Sequence, residues 1–139
     1  MSTYTFETYP TLETERLLLR RIVRTDADAW LALHEHPETM RYIMDFDRPY
    51  TDMAEITDMI DWCDGVFKGK SGLRWAITLK PDNTMIGSCG FHLYEEKHRL
   101  AEIGYELHRD HWRKGIMSEA VTEVMRFCYD DLNLNRIEA

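Results

Sequence analysis

The sequence predicts a mixed α/β (α+β) fold: a mostly antiparallel sheet with flanking helices, in the order β-α-α-β-β-β-α-β. Three observations carry this. Arg74–Lys80, Met85–Tyr94 and Ala101–Leu107 are apolar segments separated only by turn chemistry, and strands joined by short turns pair antiparallel. An amphipathic helix, Ile116–Tyr129, comes next, with Met117, Ala120, Val121, Val124, Met125 and Cys128 on one stripe. A last segment, Arg136–Ala139, follows it. A strand–helix–strand connection is a right-handed crossover, so this strand runs parallel to Ala101–Leu107.

The remaining elements follow in chain order. Thr14–Arg24 holds Leu17-Leu18-Leu19 and Ile22-Val23 between arginines and predicts a strand. Thr25 or Asp26 caps a short helix whose buried stripe is Ala27, Trp30 and Leu31, and Pro37 ends or bends it. Asp52, with Glu55 three residues on, is a capping-box variant. The helix behind it carries Met53, Ile56, Ile60, Cys63 and Phe67, and Gly65, Gly69 and Gly72 mark its end. Pro81-Asp82-Asn83 is turn chemistry between two strands of a hairpin. Gly87 and Gly90, inside the second of these, predict a bend or a close approach. Glu95-Glu96-Lys97-His98 is a charged turn, and Asn133 suits the left-handed conformation that closes a helix.

With 139 residues the chain can form one domain with a real core. No apolar run approaches the roughly 20 residues of a membrane span, and Met1–Pro10 lacks the apolar core of a signal peptide. Cys63, Cys89 and Cys128 are odd in number and far apart, which fits reduced thiols and a cytoplasmic protein. A net charge of −8 argues against a nucleic-acid backbone as partner. It suits a cationic partner such as an amine, although it also serves plain solubility. Against this background His108–Lys114 sets Arg109, Arg113 and Lys114 against Asp110 alone, a local excess of +2.

That basic stretch runs into Trp112-Arg113-Lys114-Gly115-Ile116-Met117-Ser118-Glu119-Ala120. A strand, a basic glycine-bearing turn and a helix start together suit phosphate. The helix start offers unpaired N–H groups and the positive end of its dipole, and Gly115 lets the backbone approach closely. The spacing is neither that of a nucleotide P-loop nor the Gly-x-Gly-x-x-Gly of dinucleotide folds. Ser118 is either a donor to phosphate or simply a good early-helix residue. His108 and His111, beside the turn, suit phosphate or solvent contact better than proton shuttling.

The element order, with Ala101-Glu102-Ile103-Gly104-Tyr105-Glu106-Leu107-His108 and Trp112–Ala120, resembles the GNAT acetyltransferase superfamily. Leu12-Glu13-Thr14-Glu15-Arg16-Leu17-Leu18-Leu19-Arg20 and Met85-Ile86-Gly87-Ser88-Cys89-Gly90 resemble its branch of ribosomal-protein N-terminal (alanine) acetyltransferases. The resemblance covers residue 12 to the end and implies a single N-acetyltransferase domain over 1–139. It implies acetyl-CoA as cosubstrate, no metal, and acetyl transfer to a primary amine, either a protein N-terminus or a small molecule. Leu107, His108, Arg113, Lys114, Gly115, Ile116, Met117 and Ser118 are then the coenzyme-binding residues. The superfamily pattern is Gln/Arg-x-x-Gly-x-Gly/Ala; Trp112 and Met117 depart from it at the first and last positions. Family members continue with a further helix and two strands that complete the coenzyme cleft and often supply a tyrosine as general acid. The expectation is therefore a chain incomplete at its C-terminal end, associating as a homo-oligomer through the open region. The alternative function is a non-catalytic acyl-CoA-binding or interaction module.

The implied chemistry requires a held thioester, a deprotonated amine and a stabilised carbonyl oxygen. Glu102 and Glu106 share one face of their strand, with Gly104 between them, and are the candidate bases. The other reading is an outward polar strand face. Asp45, Asp47 and Asp52 are acids that could meet an amine or only solvent. His34 and His36 are expected at the surface, Trp75 in the core. Trp30, Trp62 and Trp112 suit core, rim or the lining of a substrate cleft.

Overall fold

Six strands form one sheet in sequence order in the computed structural model, which describes residues 4–37, 50 and 52–138. The strands are β1 (Leu12–Glu13), β2 (Leu17–Arg21), β3 (Leu73–Leu79), β4 (Gly87–Glu95), β5 (Leu100–Leu107) and β6 (Arg136–Glu138). The first five pair antiparallel and β6 runs parallel to β5, as the crossover requires. The helices are α1 (Ala27–Glu35), α2 (Met53–Lys68) and α3 (Ile116–Arg126), the last running on into a π-helical turn at Phe127–Asp131. No helix among the described residues is long and apolar enough to cross a membrane.

Strand parity divides the core. Leu17, Leu19, Trp75, Ile77, Cys89, Phe91, Ile103 and Leu107 lie on one face and pack with Ile116, Ala120 and Val124 of α3. Ile22, Trp30, Ile56, Ile60, Cys63 and Ala76 form a second cluster under α1 and α2. Trp75 is fully buried, as its strand position predicts. Gly90 shows the close approach expected of it: a Cβ there would stand 2.1 Å from the Leu73 carbonyl oxygen and 2.6 Å from the Arg74 Cα.

Several expectations need correction. The segment predicted as one strand, Thr14–Arg24, holds only β2, and its N-terminal part is the turn of a β1–β2 hairpin. The Thr14 hydroxyl accepts from the Leu17 amide at 3.0 Å, a side-chain closure that apolar patterning does not register. Asp26 does not cap α1 with its side chain. Its carboxylate is buried, held bidentately by Arg20 at 2.7 and 2.9 Å, and accepts the Val23 amide of the preceding 3-10 turn. The buried residues of α1 are Trp30, Leu33 and His34, with Leu31 only half-buried. Asp52 does cap α2, accepting the Glu55 amide at 2.9 Å. Gly65 lies inside that helix and Gly69 ends it. Asn133 takes the expected left-handed conformation, φ 56°. Asp45 and Asp47 lie outside the described residues, as does Ala139 at the end of the predicted last strand.

Candidate active site

The basic turn is built by contacts at both of its ends. Beyond β5, Arg109–His111 makes one 3-10 turn. The Trp112 indole then donates to the Leu107 carbonyl at 2.7 Å, folding the turn back over the end of the strand. The Arg109 guanidinium covers the indole ring at 4.9 Å. Arg113 and Gly115 are both left-handed, with φ 61° and 75°. This conformation is easy for Gly115 and costs about 1–2 kcal/mol at Arg113. Gly115 is the N-cap of α3 and places no side chain over the first-turn amides. The Glu119 amide bonds back to the Gly115 carbonyl at 3.0 Å. The amides of Ile116, Met117 and Ser118 precede that first helical bond and are open to a ligand.

Ile116, Met117 and Ser118 line a pocket of about 270 Å³ between the end of β5 and the start of α3, with Leu107, Arg113 and Gly115 also in its wall. The β5 edge is open beside it. β6 pairs only with Leu100, Ala101 and Glu102. Among the described residues, no strand pairs with that edge of β5 from Ile103 to Leu107. An extended ligand can therefore run along it toward the phosphate turn.

One face of β5 carries the two acids, in unlike surroundings, and Glu106 also lines the pocket. Glu106 is buried at 2% exposure. One carboxylate oxygen accepts from the Trp30 indole at 2.9 Å and from His34 Nε2 at 3.1 Å. The other accepts from Arg74 at 3.0 Å and from the Ser88 hydroxyl at 2.9 Å. Arg74 Nε donates in turn to Ser88, and register places Ser88 directly opposite Glu106. Burial pushes this carboxyl up, but the His34 hydrogen bond and the Arg74 charge outweigh burial and hold it below its ordinary value. His34 Nδ1 accepts the Tyr50 amide at 3.0 Å, which leaves its ring proton on Nε2 facing Glu106. The two rings stack at 5.1 Å. The expectation of a surface His34 was wrong: one helical turn past Trp30, it joins the buried face. His36 meets the His108 ring at 4.8 Å instead.

Glu102 is half-exposed, and His92 Nε2, opposite it on β4, lies 3.9 Å away. The exposed Trp62 of α2 lies edge-on to His92 at 6.1 Å. Glu138 of β6 is in register beside Glu102. One carboxylate on this face thus stays open to solvent while the other is enclosed.

A profile described as the acetyltransferase (GNAT) domain matches residues 16–139. The chain belongs to the GNAT acetyltransferase family. The uncharacterised N-acetyltransferase p20 of Bacillus licheniformis is 40% identical over 129 residues, covering 93% of this chain and 71% of that protein. The uncharacterised N-acetyltransferase YoaA of Bacillus subtilis (strain 168) is 38% identical over 131 residues, covering 94% and 73%. A GNAT-family acetyltransferase from Bacillus anthracis superposes with a TM-score of 0.76 at 21% identity, covering 92% of this chain and 71% of that one. RimL, a ribosomal L7/L12 α-N-protein acetyltransferase solved with coenzyme A, gives 0.74 at 21%, covering 86% and 67%. The GNAT fold expected from the sequence is thus the fold observed.

Of the predicted coenzyme residues, Leu107, Arg113, Gly115, Ile116, Met117 and Ser118 meet in the one pocket. Ile116 is largely spent on the core. Met117, the bulky departure from the family pattern, is half-buried against the same cluster. Trp112, the other departure, anchors the turn to β5. Lys114 and His108 stand outside the pocket wall. Burial holds the His108 imidazole below its ordinary value, with His36 and His111 adding to this and Asp110 opposing it. His108 therefore brings no full positive charge to the turn at neutral pH. Sequence reasoning missed the Trp30–His34–Arg74–Ser88 cage entirely. Its only sequence signal is parity: Arg74, Ser88 and Glu106 alternate with apolar core residues.

Proposed function

We propose that the chain is an acetyl-CoA-dependent N-acetyltransferase acting on a primary amine, either a protein N-terminus or a small molecule. The observation that carries this is the left-handed Gly115 at the mouth of the pocket, with the open β5 edge leading to it. The amides of the first turn of α3 suit the coenzyme pyrophosphate, and Arg113 adds positive charge. The Leu107 backbone, at the end of the open β5 edge, suits the pantetheine arm of the coenzyme. When bound, acetyl-CoA supplies the activated acyl group.

The residues of this chain divide the remaining work. Glu102, the open carboxylate, is the candidate base for the incoming ammonium, directly or through a water. Its exposed surroundings, with Glu138 and Trp62 nearby, suit a cationic acceptor. Glu106 serves differently from the expectation of a second base. Its oxygens each accept two donors, so it fixes the geometry of β5 and of the pocket wall rather than taking a proton.

Calorimetric titration with coenzyme A tests the reading. Gly115→Asp places a Cβ 3.4 Å from the Arg16 guanidinium, in a strained conformation, and sets a negative charge at the phosphate turn. We expect binding to be lost in this variant while the protein stays folded. Unchanged affinity would sink the assignment.

A further inference from the structure

The β1–β2 turn reaches across to the phosphate turn, 98 residues away in sequence. Arg16 donates from its backbone amide to Glu119 Oε2 at 3.0 Å and from Nε to Glu119 Oε1 at 2.8 Å. The Thr14 hydroxyl donates to the same carboxylate. Arg16 NH1 donates to the Lys114 carbonyl at 2.8 Å. Glu119 lies in the first turn of α3, so both ends of the Lys114–Glu119 segment are tied to one guanidinium. The Arg16 side chain is 43% exposed, yet two bonds from its guanidinium fix it in place. Its remaining nitrogen, NH2, has no hydrogen-bond partner among the described residues. NH2 lies 3.4 Å from the position a Cβ on Gly115 would take, on the residue that opens α3 and lines the pocket.

We propose that Arg16 is a phosphate-binding residue of the coenzyme site, contributed by the β1–β2 turn. This rests on the coenzyme reading above. Nε and NH1 are spent on the protein, so the fork is immobilised before any ligand arrives and little rotamer entropy is lost on contact. NH1 engages the Lys114 carbonyl, which takes one negative dipole out of competition with a phosphate. NH2 then supplies a charge-assisted donor beside the helix-start amides. Glu119 offsets the charge of Arg16, so the contribution is mainly directional.

The test is titration of the whole chain with coenzyme A and with pantetheine, which has the same arm but no phosphate. Arg16→Gln should weaken coenzyme A by about tenfold, as expected for loss of one charge-assisted bond. It should leave pantetheine unchanged and make coenzyme binding less sensitive to salt. Glu119→Gln loosens the clamp but keeps the cation, and should weaken coenzyme A by clearly less than Arg16→Gln does. Thermal melts by circular dichroism verify that both variants are folded. Equal weakening by the two variants would reduce Arg16 to a clamp and overturn the proposal. So would an Arg16→Gln variant with unchanged coenzyme affinity. A parent chain that binds neither ligand overturns the coenzyme reading itself, and this proposal with it.

Discussion

Replacing Glu106 by Gln removes one negative charge and turns one acceptor oxygen into a donor, in a site that offers only donors. Trp30 and His34 point at one oxygen, Arg74 and Ser88 at the other. Either orientation of the amide therefore sets an NH2 group against two N–H or O–H groups. The Arg74 side chain is 5% exposed and loses the Glu106 charge beside it. Breaking a buried pair from one side costs about 3–5 kcal/mol; the lower end applies, since the amide keeps the volume and one acceptor. At about 2.1 cal/mol/K per residue, a chain of this length has an unfolding entropy of about 0.3 kcal/mol/K. We expect Tm at pH 7 to fall by about 10 °C in calorimetric melts. The pH dependence has a definite sign. The folded carboxyl lies below its ordinary value, so its contribution is complete above the unfolded value of about 4.3 and fades as pH falls through the folded one. The gap between parent and variant should therefore narrow on acidification below that point. Because no lone pair of Glu106 is left for substrate, turnover of folded Glu106→Gln should stay within a few-fold of the parent. A Tm shift under about 3 °C, or a gap that widens in acid, refutes the stability argument. A loss of turnover of about 10²-fold refutes the scaffold role and returns Glu106 to consideration as a base.

Glu102→Gln should behave in the opposite way, with Tm nearly unchanged, amine acetylation down by about 10²-fold and coenzyme affinity retained; turnover near the parent level removes Glu102 as the base. Two glycines should respond with opposite signs. Gly90→Ala drives a Cβ into the β3 backbone and should cost about 3 kcal/mol or more in urea unfolding. Gly65→Ala, inside α2 with nothing within 4 Å, should gain roughly 0.5–1 kcal/mol.

The order of elements was legible because it rests on local terms. Period-2 and period-3.6 apolar patterns, the Asp52 cap, the left-handed Asn133 and the glycine-bearing turn all act within a few residues of themselves. The phosphate turn was legible for the same reason: strand end, basic turn and helix start are contiguous in the chain. Where a local signal had a rival side-chain use, the reading failed. Thr14 closes a turn inside what apolar content marks as one strand, and Asp26 answers to Arg20 rather than to α1.

Alternation by itself placed Glu102 and Glu106 on one face of β5, and it could not separate them. Which acid is enclosed depends on α1 crossing over one end of that face, bringing Trp30 and His34 onto Glu106 while Glu102 is left beside His92 and solvent. The partners of Glu106 come from positions 18 to 76 residues away, and no periodicity spans such distances. The same holds for Arg16, whose link to Lys114 and Glu119 exists only because the sheet brings its β1–β2 end beside the start of α3. Backbone propensity and alternation act along the chain, so the sequence determined the elements and the phosphate turn. Charge pairing acts through space, so only the tertiary structure decided which carboxylate is caged, which is open, and which distant arginine stands at the pocket.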